Sequence, residues 1–480
     1  MRTGRRGPVP LTLSGLRRAA LAGMIGLLAS SVAAQTVSIS AEEARAGLRQ
    51  AMADGRLDVA EPLAQAILRR TPQDYAAHAA LSQIALQRGD VVLADRAARQ
   101  AVAHARSPRD RFEAALLRAR VTEQADGPLA GVAAMYWTRR AAELAPHPAY
   151  RSAAVGELQR IRGEARLQLN LGVSVSPSSN VNNGSRETYI ELPGWGGLAW
   201  LLSPQSRALS GWVAEATVSG RYRLAESPVS ARYVRFAAQQ RKVRLSGASR
   251  RLLDDWRAWQ VAAGNAPPPD PDYDFAAVEA GVQQIMVLGK GQAAFGATLG
   301  HNWFGGRDLS DYLRLDAQLE QAVAPGVMLF GTAQAERQWR KGAADPVVDT
   351  LTLQAGAVRH LESGARLRLS LGARHTEAAS LDTRHKALMG RIGWEPATPM
   401  AGVRIETSLG IEGRRYDPSM LAPQGRRDLR LDAGVSVTFQ KLDYMGFAPM
   451  VDLRASRNAS NVKLYDGRDL GIAFGIRSVF

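Results

Sequence analysis

At 480 residues, with 46% hydrophobic and 22% charged residues, the chain is long enough for two or three domains and too apolar to be disordered throughout. Lys+Arg 61 against Asp+Glu 45 leave a net charge of +16, which alone points to nucleic acid or an anionic surface as partner. The absence of cysteine excludes disulfide frameworks, thiolate metal sites, thiol catalysis and a lipidated N-terminal cysteine, and seven scattered histidines leave little for metal chemistry.

The N-terminus accounts for part of the charge. Arg2, Arg5, Arg6, Arg17 and Arg18 precede an apolar, small-residue run from Ala19 to Val32 that ends in Val32-Ala33-Ala34. This predicts a secretory signal peptide over residues 1–34, cut before Gln35. A retained anchor is the competing reading, but the run is shorter than the ~20 residues of a spanning helix, and polar residues follow at once. Removing five arginines lowers the net charge to +11 (16 − 5), and export takes the chain away from chromosomal DNA, so no nucleic-acid partner is expected. No later stretch offers eighteen continuous apolar residues, so any membrane crossing must use strands.

Residues 35–163 read as a helical domain. From Ala41 to about Arg162 the chain is rich in Ala, Leu, Arg, Gln and Glu, with apolar residues at helical spacing, as in Ala44, Leu48, Met52 and then Leu63, Ile67. Gly55 through Ala60, followed by Pro72, is echoed by Gly89 through Ala94, followed by Pro108, and Gly55 and Gly89 lie one 34-residue tetratricopeptide period apart. Glycine would end one helix in a tight turn, and the small Ala60 and Ala94 would let the next helix pack closely. A stretched third copy runs from Phe112 through Gly127 to Pro146. The bland alternative is a helical hairpin bundle whose spacing is coincidental. Stacked repeats do no chemistry; they present a concave face to a polypeptide.

After Gly163 the period changes to two. Leu167, Leu169, Leu171, Val173 and Val175 alternate with Gln168, Asn170, Gly172 and Ser174, and the same alternation recurs at Leu367–Ala373, Val403–Ile411 and Leu429–Val437. Strands are predicted near 165–175, 211–222, 228–241, 273–288, 291–303, 311–323, 326–338, 348–360, 364–376, 383–395, 401–414, 426–438, 446–457 and 469–480. That gives about fourteen, an even number as bacterial barrels require. A soluble sandwich seldom runs such long strands with so many charges on one face, whereas a transmembrane barrel turns its apolar face to lipid and its polar face to a wet lumen. The predicted fold is therefore α + β: tetratricopeptide-like helices followed by an antiparallel transmembrane barrel over 164–480. Short connections such as 224–227, 289–290, 325–326 and 362–364 alternate with longer ones at 176–210, 244–272, 339–346 and 458–467, which puts the helices on the periplasmic side. Trp195, Trp200, Trp212, Trp303, Trp339 and Trp394 fall near strand ends or loops, where interfacial aromatics sit.

Leu470, Ile472, Phe474, Ile476, Ser478 and Phe480 share one face of the last strand, and the chain ends on an aromatic. Phe474, Ile476 and Phe480 resemble the C-terminal signal by which the outer-membrane barrel assembly machinery recognises its clients.

A signal peptide, a short tetratricopeptide-like domain and a barrel opening with Leu169-Asn-Leu-Gly-Val-Ser-Val-Ser-Pro-Ser-Ser-Asn-Val-Asn-Asn183 together resemble the surface lipoprotein assembly modifier family. The opening segment, a strand running into a loop that carries Asn180, Asn182 and Asn183, is the most specific part of the match. The resemblance implies an outer-membrane translocator that assists client lipoproteins, or soluble haem-scavenging proteins, to the cell surface, with outer-membrane lipid and lipopolysaccharide around it. A polysaccharide exporter is the alternative, although that class carries a longer repeat array; a plain porin would have no use for the repeats.

Enzyme readings find little to rest on. There is no Gly-x-Ser-x-Gly elbow, no His-Glu-x-x-His and no phosphate loop, and Gly289-Lys-Gly291 is a hairpin turn, not a nucleotide fingerprint. His301, His360, His375 and His385 lie on predicted strands, and one beside an acid, as in His375-Thr-Glu377, is expected to be a lumen or rim residue. No catalytic residue, cofactor or metal is predicted. The arginines of the inner face are expected to pair with Asp316, Glu320, Glu406 and Asp432, and arginines in outward loops could meet lipopolysaccharide phosphates.

Overall fold

The computed structural model describes residues 40–191, 199–342, 345–397, 402–420 and 422–478. The expected signal peptide, Trp195 and Phe480 lie outside the described residues. The chain divides into two compact units, Met1–Leu81 and Ser82–Phe480.

Among the described residues, seven helices come first: α1 (Ala41–Ala53), α2 (Leu57–Arg70), α3 (Tyr75–Gln87), α4 (Val91–His104), α5 (Pro108–Glu123), α6 (Ala130–Leu144) and α7 (Pro148–Glu164). Their starts are written locally. Ser40 and Glu43 close a capping box on α1, and Ser107 and Asp110 do so on α5, with Pro108 in the first turn. Gly55 and Gly89 take φ of +70° and +77° in the turns before α2 and α4, a backbone region that glycine enters without a Cβ penalty. Ala60 and Ala94 are fully buried at the start of the helices that follow.

Within the second unit the helices share an alanine-rich core. Phe112 and Ala115 of α5, Ala141 and Ala142 of α6 and Ala154 of α7 form one cluster, with the rings of Phe112 and Tyr150 meeting edge to face at 5.3 Å. Arg118 of α5 is nearly buried and ties three helices together. It donates to the Asp95 carbonyl of α4 at 3.2 Å, pairs with the Asp95 carboxylate, and lies 5.8 Å from the Trp137 ring of α6.

A closed antiparallel barrel of fourteen strands follows. Its first strand is β1 (Leu167–Ser178). The loop after it carries a small ribbon of β2 (Tyr189–Glu191) and β3 (Ala199–Leu201). Next come β4 (Gly211–Ser227) and β5 (Ser230–Leu245), and the loop after β5 holds α8 (Gly247–Ala262). Then β6 (Phe275–Leu288), β7 (Gly291–Phe304), β8 (Arg307–Ala324), β9 (Val327–Arg340) and β10 (Val347–His360) run as successive hairpins. The wall is completed by β11 (Arg366–Ala378), β12 (His385–Glu395), β13 (Arg404–Tyr416), β14 (Arg427–Thr438), β15 (Phe447–Ser460) and β16 (Gly467–Ser478). Each of the fourteen predicted strands has its counterpart here.

The register keeps the two faces apart. Leu409, Ala433 and Ala455 are cross-strand partners on the outside, while Glu412 and Arg430 oppose each other inside. Outward leucines such as Leu371, Leu388, Leu409 and Leu470 are 60–71% exposed, which in water would be a large uncovered apolar surface and in a bilayer is the lipid-facing band. On β14 that band runs from Leu429 to Val437, ~27 Å along the strand at ~3.4 Å per residue, and strand tilt reduces it to roughly the height of a barrel's apolar belt. Trp212, Trp303 and Trp339 stand at one edge of the belt on β4, β7 and β9, and Trp394 stands at the other on β12.

The connections keep the predicted rhythm only in part. Two-residue turns at Pro228-Val229, Gly289-Lys290 and Pro325-Gly326 lie at the end from which the helices enter, and the long 179–210 and 246–274 loops lie at the far end. But β7 and β8, expected to be separated by a loop, are joined at the far end by Gly305-Gly306 alone. Their φ values of +57° and +71° make the tight turn that suits a hairpin's twist. Conversely, the turn between β14 and β15, at the helix-bearing end, spans residues 439–446, because it carries the helices' contacts described below.

Candidate functional site

The lumen wall is a lattice of charge pairs. Arg235 holds Asp316 and the Thr298 hydroxyl, the latter at 2.9 Å. Arg314 bridges Glu279 at 3.0 Å and Glu336 at 2.7 Å, and Tyr312 donates to Glu279 at 2.6 Å. Glu412 receives Arg374 and Arg414, Glu395 receives Arg366 and Arg404, and Arg477 reaches Glu406 at 2.7 Å. Arg430 pairs with Asp432 at 3.0 Å. Asp316, Glu406 and Asp432 thus have the arginine partners expected of them, whereas Glu320 accepts from Gln292 at 2.8 Å, the residue directly opposite it on β7. Such a lining is polar, with most of its carboxylates met by arginines.

At the far mouth the first long loop packs on the adjoining strands, and the predicted asparagines pin it. Asn182 donates its amide to the carbonyls of Gln205 at 3.0 Å and Arg207 at 2.8 Å, and accepts from the Leu209 amide at 2.9 Å. Asn180, almost buried, exchanges two bonds with Gly184 at 2.9 and 2.8 Å, and Asn183 takes the turn with φ of +53°. Val181 and Leu209 then pack on Val213 of β4 and Leu253 of α8, while Arg241 of the lumen wall donates to the Val181 carbonyl at 2.9 Å. At its other side the loop reaches the β15–β16 connection, where the Ser185 hydroxyl donates to the Lys463 carbonyl at 2.8 Å. Asn182→Ala removes three bonds at once and is expected to cost the loop about 1–3 kcal/mol. The checkable result is new protease cuts within 179–210, with Asn182→Asp intermediate.

The wall itself has one weak line. Among the described residues, β1 and β16 pair at three positions, Ser174↔Gly475, Val175↔Phe474 and Ser178↔Gly471, while every other neighbouring pair is in register at ten or more. Pro177 contributes no amide to the ladder. Toward the far end, side chains make up for this: Ser178 and Ser179 donate to Asp469 at 2.9 and 3.1 Å, and Ser179 accepts from the Leu470 amide. Toward the helix-bearing end, among the described residues, Leu171, Gly172 and Val173 pair with β4 and have no ladder partner on β16. A cavity of about 1170 Å³ lies along this stretch, lined by Leu169 and Leu171 of β1, Ile476 and Arg477 of β16, and Met135 and Arg139 of α6. Lumen groups such as Asn170 and Glu279 line it too, so it joins the seam to the interior.

Helices α6 and α7 sit beneath the seam and hold both its banks. On the β15 side, Arg151 binds the Asp443 carboxylate with two bonds of 2.9 and 2.7 Å, and Glu143 accepts from the Met445 amide at 3.2 Å. Arg139 donates to the Met445 carbonyl at 3.0 Å and lies 4.5 Å from the centre of the Phe447 ring. Burial and, secondarily, the neighbouring Arg162 push the Arg139 pKa down, a cost those contacts offset. On the β4 side, Arg223 donates to the Glu164 carbonyl at the end of α7, and its amide donates to the Arg166 carbonyl at 2.7 Å.

Of the C-terminal residues predicted to matter, Phe474 and Ile476 face outward and are each 53% exposed, with Phe474 on the seam opposite Val175. The histidines are rim or wall residues: His301 bonds Asp311 at 2.6 Å, His375 bonds Glu377 at 2.7 Å, and His385 stacks on Tyr416. Among the described residues no group of three or more His, Asp or Glu is placed to hold a metal. The docking turn was not foreseen, because it joins residues about three hundred positions apart.

No protein-family model and no curated protein matches this sequence. Among solved structures, the chain is similar to the outer membrane channel DcaP of Acinetobacter baumannii, with 8% identity and a TM-score of 0.37 over 66% of this chain and 98% of that one. It is also similar to a bacterial polysaccharide outer membrane secretin (7%, TM-score 0.33, 65% and 98%) and to an anion-selective porin from Comamonas acidovorans (11%, TM-score 0.29, 65% and 100%).

Proposed function

We propose that this chain is an outer-membrane translocator that passes client lipoproteins or secreted proteins to the cell surface, with its helices in the periplasm, as in the surface lipoprotein assembly modifier family. The observation that carries the reading is the β1–β16 seam, paired at three positions among the described residues, opening on a cavity that reaches the lumen and braced by α6 and α7. An unpaired strand edge beside an apolar pocket can take up an extended segment of another chain by strand addition. A paired-charge lumen lets such a segment slide without a deep electrostatic trap. The helices, read as tetratricopeptide-like repeats, hold the client at the entrance. Client folding or capture outside supplies the drive.

Deletion of the gene in its host, followed by protease shaving and mass spectrometry of surface proteins, tests this. The expected outcome is loss of one or a few lipoproteins or secreted proteins from the surface, with their periplasmic pools retained. An unchanged protein surface with a missing polymer would replace the reading by polysaccharide export.

A further inference from the structure

At the far edge of the lipid-facing band, the belt changes chemistry around the barrel. On β4, β7 and β9 it is made by Trp212, Trp303 and Trp339. On β12, β13 and β14 the corresponding outward positions are Lys386, Arg415 and Arg427. These three are direct cross-strand partners, Lys386↔Arg415 and Arg415↔Arg427, and all are exposed. Like charges set directly opposite each other on one face of a sheet repel and destabilise it. No acid relieves them among the described residues. Glu377 is held by His375 and Arg384, Asp417 by Arg384, and Asp428 by Arg426. Arg457↔Arg468 on β15 and β16 continue the basic surface.

Immediately membrane-ward of the row lies a groove of about 680 Å³, with Leu353 and Leu388 in its lining and all three cations at its rim. A row of unpaired cations above an apolar groove is complementary to a lipid with phosphates on its head and acyl chains below. If the helices are periplasmic, as the proposed function has it, this edge lies in the outer leaflet, and the inference rests on that reading for its choice of lipid.

We propose that the outward rim of β12–β14 is a binding site for the phosphates of an acylated, phosphorylated saccharide lipid of the outer leaflet. Lys386, Arg415 and Arg427 bind the phosphates, and the groove over Leu353 and Leu388 receives an acyl chain. The lipid would relieve the cation row's self-repulsion and fix the wall on the side that includes β14.

The test is native mass spectrometry of the detergent-solubilised full chain with added diphosphoryl lipid A, its dephosphorylated form, or phosphatidylglycerol. Wild type is expected to hold diphosphoryl lipid A at least roughly tenfold better than the Lys386→Gln/Arg415→Gln/Arg427→Gln variant does, and better than either other lipid. Heat-modifiable electrophoretic mobility establishes that the variant barrel is folded; if it is not, Arg415→Gln alone, expected to lose part of the effect, replaces it. Equal retention by variant and wild type, or a variant-sensitive preference for phosphatidylglycerol, overturns the proposal. No client is present in this assay, so its failure would leave translocation standing, and the loss of translocation would leave lipid retention unchanged.

Discussion

A disulfide across the seam should stop export. The chain has no cysteine of its own, so Val175→Cys with Phe474→Cys introduces a single possible bridge, at a cross-strand pair on the outward face where antiparallel partners stand within disulfide reach. If the client passes by parting β1 from β16, the oxidised variant is expected to lose essentially all client display, and reduction should restore it. The energetic argument is one of degree. Three paired positions at the seam can open and reclose, since each backbone hydrogen bond contributes only about 0.5–1.5 kcal/mol net, whereas a covalent bridge cannot. The same chemistry at Val435 and Leu453, inside the continuous β14–β15 register, is the control and should leave export unchanged when oxidised. Full display through an oxidised seam would mean that the client uses the lumen alone, and the strand-addition reading would fall.

What could be read from the chain in advance, and what could not, follows from the range of the interactions. The fourteen strands were legible because alternation is a local property: each of Leu429, Leu431, Ala433, Val435 and Val437 declares its face through its neighbours. So was the polar character of the lumen, although the neutral partner of Glu320 was not, because which residue stands opposite is set by register. The helix turns at Gly55 and Gly89 could be placed by spacing, but a 34-residue period does not fix how helices stack. Closure was different in kind. That β1 and β16 meet at all follows from an even barrel, but which of their positions pair, three of them among the described residues, depends on the geometry of the whole wall. The cation row shows the same limit. Lys386, Arg415 and Arg427 lie up to 41 residues apart in sequence, and only the register of β12 to β14 makes them neighbours.

Reversing one ion pair should separate docking of the helices from folding of either part. Arg151 of α7 and Asp443 of the β14–β15 turn make a two-bond pair whose carboxylate side chain is 11% exposed and whose guanidinium is 41% exposed. Arg151→Glu sets a carboxylate against the half-sheltered Asp443, and charge-assisted pairs of this kind are worth about 1.5–3 kcal/mol, so the docked population should fall by roughly tenfold or more. Asp443 also accepts from the Gly446 amide at 3.2 Å, which keeps the turn in shape in that variant. The expected signs are faster release of the helices from the barrel by limited proteolysis and a matching loss of client display, with the barrel's heat-modifiable mobility unchanged. Arg151→Glu combined with Asp443→Arg should recover most of both. The recovery is the decisive part, because a merely structural fault in either element would add in the double variant, while a broken contact is repaired by it. If docking returns and display does not, the helices serve the barrel by more than their position, and the face they present to the client becomes the next place to look.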